Sequence, residues 1–127
     1  MRRKIETGLP APTAPYEWAV VAGNLIYTVH VPIKSDGTAE TGSTQAQAEL
    51  TFSNLKRALE AAGASLDDVN QVTIYLTSLK HKPVVDELYE RFFRRPYPVR
   101  VCIAISELPL PNTVIEVLAY ANSPQAR

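Results

Sequence analysis

Two apolar runs, Trp18-Ala19-Val20-Val21 and Leu25-Ile26-Tyr27-Thr28-Val29-His30-Val31, flank the pair Gly23-Asn24. Both turn residues tolerate positive φ, so the pattern predicts a β-hairpin. Ser35-Asp36-Gly37-Thr38 marks a second turn inside a polar loop. The apolar spacing then becomes helical, with Ala48, Phe52, Leu55, Leu59 and Ala62 on one stripe, Ser43 or Thr44 as cap and Gly63 as stop. Val69 to Thr77 returns to a strand, with Val72, Ile74 and Leu76 on one face and Thr73, Tyr75 and Thr77 on the other. Pro83 opens a second helix that turns Val84, Leu88 and Phe92 inward and closes near Arg94-Arg95-Pro96. Strands from Val99 and from Thr113 to Ala121 complete the set, and Pro10, Pro12 and Pro15 make residues 1–15 an extended arm.

The order ββαβαββ predicts an α+β domain, a mixed β-sheet covered on one face by two helices. The other face would carry Thr73, Tyr75, Cys102, Ala104, Leu118 and Tyr120, which is too apolar for water. Self-association through that face is the economical solution, and a ring of protomers creates clefts between subunits.

One cation stands out. Val99, Val101, Ile103 and Ile105 alternate with Arg100, Cys102, Ala104 and Ser106. The β-branched side suits a core, which leaves the Arg100 guanidinium standing over a floor of small residues. Its planar fork of donors matches a carboxylate or a phosphate. An arginine in a surface ion pair is the competing account.

Composition narrows the function classes. A chain of 127 residues, with 46% hydrophobic and 20% charged residues, is expected to form one soluble domain over 1–127. Thirteen basic and thirteen acidic residues cancel, so neither nucleic acid nor a membrane surface is an expected partner. Met1-Arg2-Arg3-Lys4 leads into Ile5-Glu6-Thr7-Gly8 rather than an apolar run, which argues against a signal peptide. One cysteine fits a reducing cytoplasm. Two histidines and that cysteine form no metal-ligand spacing, so neither metal nor cofactor is expected.

An ordered set of segments resembles the RidA/YjgF family, also called endoribonuclease L-PSP. It includes Ala22-Gly23-Asn24-Leu25-Ile26-Tyr27-Thr28, Leu59-Glu60-Ala61-Ala62-Gly63-Ala64-Ser65-Leu66-Asp67-Asp68-Val69 and Thr73-Ile74-Tyr75-Leu76-Thr77. Tyr89-Glu90-Arg91-Phe92-Phe93, Pro98-Val99-Arg100, Leu108-Pro109 and Ile115-Glu116-Val117 continue it, so the likeness runs from about Tyr16 to Ala121. The resemblance implies a chorismate mutase-like fold, a homotrimer with sites between subunits, and hydrolysis of reactive enamines and imines to 2-keto acids and ammonia. It implies that Arg100 grips a substrate carboxylate, Glu116 orients the attacking water, and Tyr16 closes the cleft from the arm. It also implies that Cys102 lines the site, as wall rather than nucleophile, since no His or Lys lies near it in sequence. Tyr120 shares the Glu116 face by alternation. A rim carboxylate and a strand-entrance staple are the bland accounts of Glu116 and Tyr16.

The chain also departs from the family. Thr28-Val29-His30-Val31-Pro32 is one residue shorter than the usual Thr-Ser-Gly-Gln-(Ile/Val)-Pro, which places Val29 and His30 where small residues meet the ligand. His30 is either a replacement hydrogen-bonding group or a packed strand residue. The loop from Leu108 to Thr113 is one residue longer than usual, and Leu118 stands where many members carry a second glutamate. These features point to a divergent subgroup. The leading function is an enamine/imine deaminase; a non-catalytic trimer that binds a small carboxylate is the alternative. Ribonuclease activity is disfavoured by the balanced charge and the lack of a histidine pair.

Overall fold

The computed structural model describes residues 1–124; the remainder of the expected 1–127 domain lies outside them. The strands β1 (Arg3–Lys4), β2 (Ala19–Ala22), β3 (Leu25–His30), β4 (Val69–Leu76), β5 (Val99–Ala104) and β6 (Ile115–Asn122) form one sheet in the order β1-β2-β3-β6-β4-β5. All pairs are antiparallel except β4 with β5. Helices α1 (Thr44–Ala61) and α2 (Lys82–Phe92) cover one face. The expected hairpin, helices and sheet class are observed, and the arm adds β1 as an outer strand.

Local chemistry explains the borders. Ser43 caps α1 by accepting from the Ala46 amide at 3.1 Å. Gly63 follows the helix with φ +79°, a conformation that costs glycine little. Phe52, Leu55 and Leu59 from α1 meet Ile26, Ile74, Leu76 and Val117 from the sheet in a fully buried core. From α2 the buried side chains are Val85, Leu88 and Tyr89, while Val84 and Phe92 pack at the core margin. The inward stripe is therefore rotated from the expected one.

The register corrects the expected content of the two faces. Paired residues share a face, and Ile74 pairs with both Val117 and Cys102, so Cys102 and Ala104 lie on the helix side. Tyr75 pairs with Glu116 and Ile103, so Val99, Val101 and Ile103 belong to the open face. They are 71, 52 and 42% exposed, not core. The reason is position: β5 is an outer strand, and α2 sets an ionic group rather than an apolar one over its inner side.

Candidate active site

Alternation along β6 decides where Glu116 goes. Ile115, Val117, Ala119 and Ala121 are buried under the helices, so Glu116, Leu118 and Tyr120 rise on the open face. There Glu116 borders a cavity of about 470 Å³. The arm walls it because Trp18 donates its indole N–H to the Pro10 carbonyl at 2.7 Å, and Tyr16 sets its ring edgewise on Trp18 at 5.3 Å. Glu116 is half-buried and makes no hydrogen bond or ion pair among the described residues. Burial raises its pKa above the usual carboxylate value. Burial, then the Glu116 charge, raises the Tyr16 phenol, so the two groups sense one another across the cavity. A carboxylate in this state has unused acceptor capacity and raised basicity, as a group that orients water requires.

Arg100 stands on the other side of the sheet. Its Nη1 lies 2.8 Å from Asp86 Oδ1 on α2, an ion pair without hydrogen-bond alignment. Its guanidinium carbon lies 4.8 Å from the centre of the Tyr89 ring. Lys82 Nζ reaches the other Asp86 oxygen at 2.7 Å, which leaves the Lys82–Asp86–Arg100 cluster with a net positive charge. Burial alone would raise the Asp86 pKa, but the Lys82 hydrogen bond and both cations outweigh it and hold the carboxyl below its ordinary value. A cavity of about 260 Å³ opens over this cluster, bounded by Tyr89, Glu90, Tyr97 and Pro98. Cys102 shares the face, half-buried, and burial raises its thiol pKa against the opposing pull of Arg100. That makes a wall residue rather than a thiolate.

Comparison with known proteins identifies the family. A family model described as endoribonuclease L-PSP matches residues 7–123. The chain belongs to this family, the RidA/YjgF proteins. It is 37% identical to a RutC family protein of Pyrococcus abyssi, over 88% of this chain and 89% of that one. It is 32% identical to the 2-iminobutanoate/2-iminopropanoate deaminase of Dermatophagoides farinae, over 91 and 92%. Among solved structures it superposes on RidA from an Antarctic Psychrobacter with a TM-score of 0.87 at 31% identity, over 94 and 98% of the two chains. It superposes on Escherichia coli TdcF with bound serine with a TM-score of 0.86 at 29% identity, over 94 and 98%.

Within this RidA/YjgF chain, residues 28–32, of which the first three end β3, divide between the faces. Val29 lines the Glu116 cavity. His30 points the other way and is 1% exposed. Thr28 Oγ1 donates its one proton to the Trp18 carbonyl at 2.9 Å, so its short contact with His30 Nε2 requires the ring nitrogen to donate. His30 is then the neutral Nε2–H tautomer, its Nδ1 is buried without a partner, and burial lowers its pKa to about 3. It stacks on Trp18 at 6.1 Å and lines none of the cavities described. Tyr120 stays on the open face, edgewise to Tyr27 at 5.2 Å. One chain thus brings together Tyr16, Val29 and Glu116, and separately Arg100 and Cys102.

Sequence reasoning missed Asp86 and Asn54. Asp86 sits on the α2 face beside Tyr89, but its target lies on a distant strand. The Asn54 amide is buried in α1 and donates to the Val31 and Ile33 carbonyls at 3.1 and 3.0 Å, fixing the cavity wall. Its signal was a polar residue adjacent to Leu55 on the inward stripe.

Proposed function

We propose that this chain is a hydrolytic deaminase of carboxylate-bearing enamines and imines, assembled as a homotrimer with each site between neighbouring subunits. The observation that carries the reading is Glu116, a half-buried carboxylate with no ionic partner among the described residues, beside a roomy cavity in a RidA/YjgF chain. The deaminase name of one relative and the serine bound to another support a small amino-acid-derived ligand. Two sides of one sheet cannot grip one small molecule. Arg100 therefore meets Glu116 of a neighbouring subunit, and the exposed Tyr27, Val99, Val101 and Ile103 are the surface that subunits cover.

The chemistry asks little of the protein. Arg100 holds the substrate carboxylate through the guanidinium donors that Asp86 leaves free. Glu116 accepts a proton from water as its oxygen attacks the C=N carbon, and a tetrahedral carbinolamine forms. Glu116 returns the proton to nitrogen and then carries the carbinolamine hydroxyl proton there as well, so that the C–N bond breaks as the C=O forms and ammonia leaves a 2-keto acid. An imine is already electrophilic, so positioning supplies much of the rate.

Glu116→Gln tests the reading. Turnover of an imine should fall about 10²–10⁴-fold while 2-keto acid binding survives. The folded Glu116 pKa is raised, so its ionised form opposes folding at neutral pH. The variant should melt at the same temperature or higher. Unchanged turnover in a folded variant would move the chain to the non-catalytic reading.

A further inference from the structure

Glu116 stands where the sheet loses its support. Along β6 the pairing with β3 ends at Val117, opposite His30, so among the described residues Ile115 and Glu116 keep only β4 as a neighbouring strand. The β4 pairing fails one step further on. Thr77 donates its N–H to the Val114 carbonyl at 3.1 Å, but the return bond of an antiparallel pair is replaced, because the Val114 N–H goes to a side chain.

That side chain is Gln47, from the first turn of α1. Its Oε1 accepts the Val114 N–H at 2.8 Å, and its Nε2 donates to the Gly42 carbonyl at 3.2 Å. The two partners fix the orientation of the amide, since an N–H needs the oxygen and a carbonyl needs the nitrogen. Gln47 is 2% exposed, so water does not compete for either end. The chain before Val114 holds its own turn, with Thr113 Oγ1 donating to the Leu110 carbonyl at 2.6 Å and Asn112 at φ +62°. Gln47 ties the end of that turn to the helix layer. Ile115 is fully buried and presses the strand onto the core, but apolar packing has no direction. The Gln47 bond has one, and it stops the strand from sliding.

We infer, on the deaminase reading above, that Gln47 is a positioning residue for Glu116. It sets where β6 begins, and Glu116 follows Val114 by two residues, so it sets where the carboxylate meets its water. Gln47 is buried on the helix side while Glu116 rises on the open face, so it acts through the Val114 backbone and touches no reacting atom. One residue of strand spans about 3.3 Å, and a slip of a third of that is a misplacement of about 1 Å, which costs roughly 10²-fold in rate. Carboxylate binding is separate from this link, because Arg100 is placed by β5 and by Asp86 on α2.

Gln47→Met keeps a side chain of similar length and removes both hydrogen bonds. Turnover of the imine made in place from alanine by an amino-acid oxidase should fall about 10²-fold, while pyruvate binding in calorimetry stays at the wild-type value. Glutamate labelled with ¹³C at Cδ gives a second readout, its Glu116 signal assigned by loss in Glu116→Gln. Burial raises the Glu116 pKa in the wild type, and release of the strand should bring its titration midpoint down toward the ordinary carboxylate value. Tyr16, the titratable group that faces it from the arm, stays neutral over that range. Leu59→Ala, near the opposite end of α1, controls for loss of helix packing: it should lower the urea midpoint and leave turnover and the Glu116 titration unchanged. Gln47→Asn, whose amide stops one carbon short of Val114, gives the same readouts if the methionine variant fails to fold. A folded Gln47 variant with wild-type turnover, or with an unmoved Glu116 midpoint, overturns the inference, and so does an equal loss of turnover in Leu59→Ala. A lowered midpoint in the variant, with no imine accelerated even by the wild type, upholds the placement of Glu116 and overturns the deaminase reading.

Discussion

The two faces of the sheet solve opposite problems with similar residues. Under the helices, several polar groups find partners inside the chain, since Asn54 holds two carbonyls, Gln47 Oε1 accepts from the Val114 amide at 2.8 Å and Arg100 has Asp86, while His30 Nδ1 and the Tyr89 hydroxyl are buried without a hydrogen bond among the described residues. On the open face, Tyr27, Val99, Val101 and Ile103 are exposed and Glu116 has no ionic partner among the described residues. The covered face draws its packing from the chain itself. The open face keeps an apolar surface beside the Glu116 carboxylate, which on the reading proposed above a neighbouring subunit covers.

Substitutions can break that contrast. Phe52→Ala removes a fully buried ring from the covered side and should cost about 3–5 kcal/mol in urea unfolding. Val101→Asp alters a residue that is 52% exposed, so each chain should stay folded within about 0.5 kcal/mol while its mass in light scattering drops to that of a monomer. A Val101→Asp protein that stays assembled would show that the open face is not the subunit interface. Next in size, Arg100→Ala should weaken 2-keto acid binding roughly 10²-fold, the lower end of the 2–5 kcal/mol that follows deletion of one partner of a charge pair. Asp86 keeps Lys82, so the fold should survive. Unchanged affinity in calorimetry would make Arg100 a structural ion.

The smallest effect belongs to His30. Its folded pKa of about 3 lies below the ordinary value, so between those pH values the unfolded chain binds a proton that the native chain refuses. Stability is fully present above the ordinary histidine pKa and is lost as pH falls toward 3. The loss should reach about 2 kcal/mol between pH 7 and 5. His30→Gln should flatten that slope in denaturant titrations at the two pH values, and an unaltered slope would place its origin elsewhere.

The sequence made the elements and the family legible because hairpin turn, caps and periodicity are local signals. Face assignment was less secure. The alternation of Val101 with Arg100 is plain, but both sides of β5 look plausible as core until strand order makes it an outer strand and α2 brings Asp86 and Tyr89 to the Arg100 side. His30 illustrates the same gap. It shares the alternation of Ile26 and Thr28, which marks it as inward, yet its ring pairing depends on which proton Thr28 has already given away. Asp86 was invisible for a related reason: a helix pattern shows which way a carboxylate points, not which strand lies beneath it.

Asn54 carries a consequence for how such a protein changes its tastes. Its amide ties the Val31 and Ile33 carbonyls to α1, so one wall of the Glu116 cavity is set by helix packing rather than by the ligand. Substitutions deep in the helix layer, far from Glu116, would shift that wall and change the shape of the cavity. A selection for new specificity in this scaffold should therefore return changes at Asn54 and its helix neighbours alongside those in the cavity itself.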